Sequence, residues 1–150
     1  MGPFPHDAPK ATISDINPAG TDGFEFVEYA HPDPQVLDRI FRQMGFAPVA
    51  RHKTKNVTLY RQGDINYLLN ADADSHAAGF VQEHGPCAPA MAWRVVDAQA
   101  ALKRALDLGA TEYTGPGKSI EAPAVYGIGG SLLYFIDKYG AEGSAYEADY

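Results

Sequence analysis

Around Met91 the chain's apolar pattern changes period. Met91, Trp93 and Val95 alternate with Ala92, Arg94 and Val96, which predicts a strand over 90–96 with its bulky apolar side chains on one face. Asp97 then caps a helix, because its carboxylate accepts from the unpaired N–H groups of a first turn. Over 98–108 the apolar residues Ala101, Leu102, Ala105, Leu106 and Leu108 recur at helical spacing, and Gly109 supplies the left-handed stop. The same order of signals occurs 64 positions earlier. Residues 24–30 (FEFVEYA) predict a strand, Asp33 a cap, and Pro34 a first helical residue that loses nothing by lacking its N–H. Val36, Leu37, Ile40, Phe41 and Met44 form the stripe, and Gly45 ends it. At this offset Asp33, Gln35 and Gly45 coincide with Asp97, Gln99 and Gly109, while Arg39 and Met44 meet Lys103 and Leu108. A unit this small cannot bury its apolar face alone, so the repeat predicts two copies packed together.

Three strands are expected after the first helix: 46–52, then 56–61 and 65–69 joined across Gln62-Gly63-Asp64, with a polar turn at 53–55 between the first two. Ser75 opens a short helix through Ala77, Ala78, Phe80 and Val81 that stops at Gly85-Pro86. In the second copy a short strand is expected near 111–114 and another around 120–124, separated by Gly115-Pro116-Gly117. A turn at 127–130 leads to a last strand over 131–137. The fold class is therefore α+β, with two paired βαβββ modules in a curved mixed sheet. The expected limits are a loose arm over 1–22 with four prolines, one domain over 23–150, module one over 23–88, module two over 89–140, and a linker over 141–150.

Composition narrows the function classes. The 150 residues suffice for one well-buried core, and a net charge of −7 argues against a nucleic-acid partner. No apolar run approaches the roughly 20 residues of a membrane span, and the first residues lack the basic and apolar regions of a signal peptide. The single cysteine, Cys87, excludes an internal disulfide framework and fits a reducing, cytoplasmic compartment.

Candidate chemistry is sparse. His76 and His84 lie on a similar helical face without an HExxH pattern, and His84 reads as a cation at a helix C-terminus. His6, His31 and His52 fall in the arm, a turn and the edge of a basic loop, where structural or solvated roles are expected. Cys87 follows His84 by three residues, but a Pro-rich connector with no orienting third group makes a poor nucleophilic pair. Gly127, Gly129 and Gly130 precede a strand where a phosphate cradle needs a helix, so they read as a tight turn. Asp72 and Asp74 lack the glycine and distal glutamate of a calcium loop. Arg51, His52, Lys53 and Lys55 read as a solvated basic turn.

The stretches NPAGTDGFEFVEYAHP, ARHKTKNVTLYRQGDINYLLN, EHGPCAPAMAWRVVDAQAAL, GIGGSLLYFIDKYG and YEADY, with MGF between the first two, carry a resemblance over residues 17–150. They are similar to the amino-terminal half of bacterial 4-hydroxyphenylpyruvate dioxygenases, a family of the vicinal oxygen chelate (glyoxalase and dioxygenase) fold. The resemblance implies a two-domain parent that uses Fe(II) and O2 to convert 4-hydroxyphenylpyruvate to homogentisate in tyrosine breakdown. It also implies that the iron, held by two His and one Glu, belongs to a carboxy-terminal domain that follows near Tyr150.

Transferred to this half by the fold's pattern, the three ligand positions fall at Glu25, within one residue, and at Ala90 and Tyr134. Alanine has no donor atom and neutral tyrosine is a poor Fe(II) ligand, so no catalytic, cofactor-binding or metal residue is expected here. The expectation is an inactive scaffold half that holds no cofactor, whose partners are the catalytic domain of the same polypeptide and further copies of itself. Two alternatives stay open: a self-contained protein of this fold with a small-molecule or metal site at a homodimer interface, and the amino-terminal half of a hydroxymandelate synthase.

Overall fold

A computed structural model describes residues 9–150; residues 1–8, which include His6 and the start of the expected arm, lie outside the described residues. The caps form as their side-chain chemistry dictates. Strand β1 (Thr21–Ala30) leads to helix α1 (Pro34–Gln43), where Asp33 accepts from the Gln35 N–H at 3.1 Å. Strands β2 (Ala47–Arg51), β3 (Val57–Gln62) and β4 (Ile65–Asn70) follow, with Gln62 paired to Ile65 across the hairpin turn. Helix α2 (His76–His84) starts on the Ser75 hydroxyl, which accepts from the Ala78 N–H at 3.1 Å. Strand β5 (Cys87–Val95) precedes helix α3 (Ala98–Asp107), and Asp97 caps that helix at 2.9 Å from the Ala100 N–H. Strands β6 (Ala124–Tyr126) and β7 (Leu132–Ile136) complete the set.

Among the described residues the seven strands form one sheet in the order β2-β3-β4-β1-β5-β7-β6. Its centre is an antiparallel seam between β1 and β5, flanked by the parallel pairs β1–β4 and β5–β7. Val27 and Met91, which are equivalent in the repeat, face each other across the seam and mark a pseudo-twofold between the modules. The paired-module architecture follows directly.

The two modules are not equal. The strand expected near 111–114 is reduced to a bridge between Glu112 and Val125, and the one expected around 120–124 is displaced to Ala124–Tyr126. Pro123 has no N–H for a ladder, and Ser119 and Ile120 are drawn into the interior instead, at 1% and 2% exposure. β1 and β5 each begin three residues earlier than the alternation predicts. Between residues 9 and 20, the Lys10 ammonium donates to the Asp137 carbonyl at 2.8 Å and Val96 donates to the Gly20 carbonyl at 2.9 Å.

Helices α1 and α3 cover one face of the sheet. Phe41 of α1 packs with Phe46, Tyr60 and Leu69, while Ala98 and Ala101 of α3 pack on Val95 with Trp93 and Phe135 alongside. Met91, Trp93 and Val95 thus face the helical side as the alternation predicts, and Trp93 rests on Phe24 with ring centroids 4.3 Å apart. The inner face holds the larger cluster, including Phe26, Leu59, Leu68, Ala92, Leu132, Tyr134 and Ile136. Each large apolar side chain removed from water contributes on the order of 1.5–3 kcal/mol, so this face carries more of the stability. Two irregular segments cover it, 113–122 with Tyr113 and Ile120, and 137–150 with Tyr146 and Tyr150.

Candidate functional site

The inner face at the seam carries Ala90 and Tyr134, two of the positions at which the resemblance would place metal ligands. β1 delivers two buried carboxylates to it by different routes. Glu28 follows Phe26 in simple alternation and lies directly opposite Ala90 on β5, which pairs in turn with Leu132 on β7. Glu25 arrives through a β-bulge: Phe24 pairs with Trp93 and Phe26 with Ala92, leaving Glu25 as the extra residue. The bulge brings its carboxylate to the Arg94 Nε at 2.6 Å and the Asn66 Nδ2 at 3.2 Å. The β1 residue that shares the seam with Ala90 is therefore Glu28 and not Glu25. Alternation with Phe26 was the signal for it.

Glu28 is 3% exposed and fully engaged. It accepts from the Ser119 hydroxyl at 2.6 Å and from Asn70 Nδ2 at 2.7 Å. Burial raises its carboxyl pKa, opposed by those two hydrogen bonds and by the charge of Lys55. Tyr134, paired with Ala92, accepts from the Ser119 N–H at 3.4 Å, and burial followed by the Glu28 charge drives its phenol pKa far up. These residues do not fit an Fe(II) triad. Ala90 offers no donor, Tyr134 holds its proton, and both oxygens of Glu28 are already taken. Among the described residues no group of three His, Cys, Asp or Glu could hold a metal ion.

The chain itself fills the space. Gly117 adopts φ +81° with its backbone against Asp74 and His76, and its carbonyl accepts from the His76 N–H at 3.2 Å. The Lys55 ammonium donates to the Lys118 carbonyl at 2.6 Å. These contacts hold 115–122 over Glu28 as a plug. The segment after β7 lies across the same face as a strap, with the Tyr150 hydroxyl donating to the Ser119 carbonyl at 3.0 Å and the Lys53 N–H to the Asp149 carbonyl at 2.7 Å. The basic turn expected to be solvated is thus partly used to pin the plug and strap.

The remaining candidates have local partners. His76 and His84 both lie against Phe80, with centroids 5.9 and 4.3 Å away, and His76 Nε2 stands 2.9 Å from the Gly130 carbonyl. His31 Nδ1 accepts from the Asp33 N–H at 2.8 Å. Burial, then the charge of Glu28, raises the Cys87 thiol pKa, which opposes a nucleophilic thiolate. Asp72 accepts from the Asn56 and Asp74 N–H groups, closing turns. Residues 127–130 form the tight turn expected between β6 and β7.

Known proteins give this geometry a context. The chain is 52% identical over 144 residues to "Hemolysin VllY" of Vibrio vulnificus, covering 92% of this chain and 40% of that protein. It is 50% identical over 137 residues to the "4-hydroxyphenylpyruvate dioxygenase" of Pseudomonas sp. (strain P.J. 874), covering 89% and 38%. Among solved structures, a "xylose isomerase-like TIM barrel/4-hydroxyphenylpyruvate dioxygenase fusion protein" superposes with a TM-score of 0.77 at 40% identity, over 86% of this chain and 21% of that one. The chain therefore spans about two fifths of the length of these curated relatives. Residues 16–150 match the family described as "Hydroxyphenylpyruvate dioxygenase, HPPD, N-terminal", and the chain belongs to that family.

Proposed function

We propose that this chain is the iron-free amino-terminal domain of a 4-hydroxyphenylpyruvate dioxygenase and serves it as a scaffold. In this reading Fe(II), O2 and the 2-oxo acid substrate are handled by a second domain of the same polypeptide, in a cytoplasmic enzyme of tyrosine breakdown. One observation carries it. The seam that would hold a metal presents Ala90 and a protonated Tyr134, and its carboxylate is bound to the chain's own Ser119 and Asn70. Family membership and the curated relatives' extra length support the two-domain parent.

Oxygen uptake tests the proposal. The chain supplied with Fe(II), ascorbate and 4-hydroxyphenylpyruvate is expected to consume no O2 above the metal-only blank, and turnover above it would overturn the scaffold role. Calorimetric titration with Fe(II) is expected to give no stoichiometric binding. Binding tighter than about micromolar, roughly 8 kcal/mol, would favour a self-contained metal protein.

A further inference from the structure

On the sheet face opposite the strap, between α1 and strands β2 and β3, runs a groove of about 650 Å³. That is the size of a small-molecule site. It arises because α1 packs chiefly on β4, setting Phe41 over Tyr60 and Leu69, and stops short of the edge strand β2. Buried Leu69 and half-exposed Val49 supply an apolar lining.

The fixed charge around the groove is mostly positive. Arg42 enters it from α1 and Arg51 from β2. Asp38 orients Arg42, each of its oxygens accepting from Nε at 3.0 Å, and it also accepts from the Tyr60 hydroxyl. The carboxylate is thereby engaged, while the two terminal amino groups of Arg42 have no hydrogen-bond partner among the described residues. Arg51 and Arg39, the latter next to Asp38 in the chain, have neither a hydrogen bond from the side chain nor an ion pair among the described residues. Burial, then the bond to Asp38, pushes the Tyr60 pKa up to about 12, and the charges of Arg42 and Arg51 both oppose that rise, so both reach the same hydroxyl. The charge of Arg39 reaches Asp38 in turn. Three guanidinium groups against one carboxylate leave a surplus of two positive charges, in a chain whose net charge is −7.

We propose that this groove binds a small phosphate monoester, with the phosphate between Arg42 and Arg51 and the organic body on Val49 and Leu69. Two guanidinium groups from different elements suit a tetrahedral anion with three free oxygens, whereas a planar carboxylate is satisfied by one fork. A phosphate monoester carries a charge of about −2 at neutral pH, which matches the surplus. Asp38 and Tyr60 act as positioning residues that hold Arg42 in place. The groove and the central seam lie on opposite faces of the sheet, so the site does not rest on the scaffold role.

The test titrates the whole chain with n-butyl phosphate, inorganic phosphate and butyrate, followed by calorimetry and by the Arg42 Nε–H signal. The expected result is one saturable site for n-butyl phosphate, at least about tenfold tighter than for either comparison anion. Arg51→Met, a change at an exposed side chain, is expected to weaken that binding at least about fivefold with the melting temperature unmoved. Arg104→Met, at an exposed arginine of α3, is expected to leave it unchanged. Val49→Asp sets a negative charge in the groove and is expected to abolish binding, which makes a second check independent of Arg51. Inorganic phosphate binding as tightly as the ester would mean an adventitious ion only. That outcome, a lack of saturable binding, an equal loss in Arg104→Met, or binding retained in both Arg51→Met and Val49→Asp would overturn the proposal.

Discussion

Glu28 on β1 faces Ala90 on β5 directly across the central seam, a buried carboxylate opposite a methyl group. Two neutral donors satisfy that carboxylate, Ser119 from the plug and Asn70 from β4, so its charge is hydrogen-bonded without being neutralised. Desolvation is what remains, and it has a pH signature. The folded chain holds the Glu28 proton above the ordinary value of 4.5, whereas the unfolded chain does not. The stabilising contribution is thus fully present below that value and is lost as pH rises through the raised one. Relative to wild type, Glu28→Gln is expected to gain stability as pH rises from 4.5 through the raised value and then to level off in urea denaturation, and a pH-independent difference across that range would contradict this.

Glu25 is held differently, through its contact with Arg94 at 2.6 Å. Arg94→Met leaves a carboxylate that is 5% exposed without its cation, at an expected cost of about 2 kcal/mol, discounted because Arg94 is 27% exposed. Adding Glu25→Gln should recover part of that loss. Chemical denaturation of the two single variants and the double variant measures the coupling.

Gly117 controls how closely the plug approaches α2. A Cβ there would lie 2.8 Å from the Asp74 carbonyl oxygen and the His76 nitrogen, at a φ of +81° that other residues rarely adopt. Gly117→Ala is expected to cost about 2 kcal/mol, and to raise amide exchange in 115–122 before it affects the seam. Hydrogen exchange resolved along the sequence checks both.

Ala92 and Trp93 test the two faces of β5. Ala92 is fully buried on the inner face, so Ala92→Val is expected to cost about 1–3 kcal/mol by overpacking. Trp93→Ala is expected to cost about 3 kcal/mol, since Trp93 is only half-buried between α3 and Phe24. A loss below about 1 kcal/mol for Trp93→Ala in denaturant would contradict its placement against α3.

The helices, their caps and the doubling were legible because each rests on local chemistry. Asp33 and Asp97 cap the helices they precede, and Val27 and Met91 meet where the repeat puts them. The inner face was less legible. Glu25 reaches it only through a bulge, and no periodicity marks a bulge in advance. Size misleads at Ala90 and Ala92, because the smaller side of β5 is the more deeply buried, where plug and strap press close. The plug carries no periodic pattern at all, since Ser119 and Ile120 are placed by tertiary contacts after the Gly115-Pro116-Gly117 break. His52 sat beside the basic loop in the sequence, and nothing there announced that its Nε2 would be enclosed with no hydrogen-bond partner among the described residues.

The arrangement of the central seam also bears on how the chain reaches its native state. β1 waits for β4 and β5, both distant in sequence, and β5 in turn waits for β7. Among the described residues no hairpin lies at that middle, because β2–β3, β3–β4 and β6–β7 all lie to one side of it or the other. Chain closure over these long separations precedes most of the burial that rewards it, so folding should run slower than in a helical bundle of equal length. The nascent chain would then have to keep the apolar strands of the first module from straying until β5 emerges.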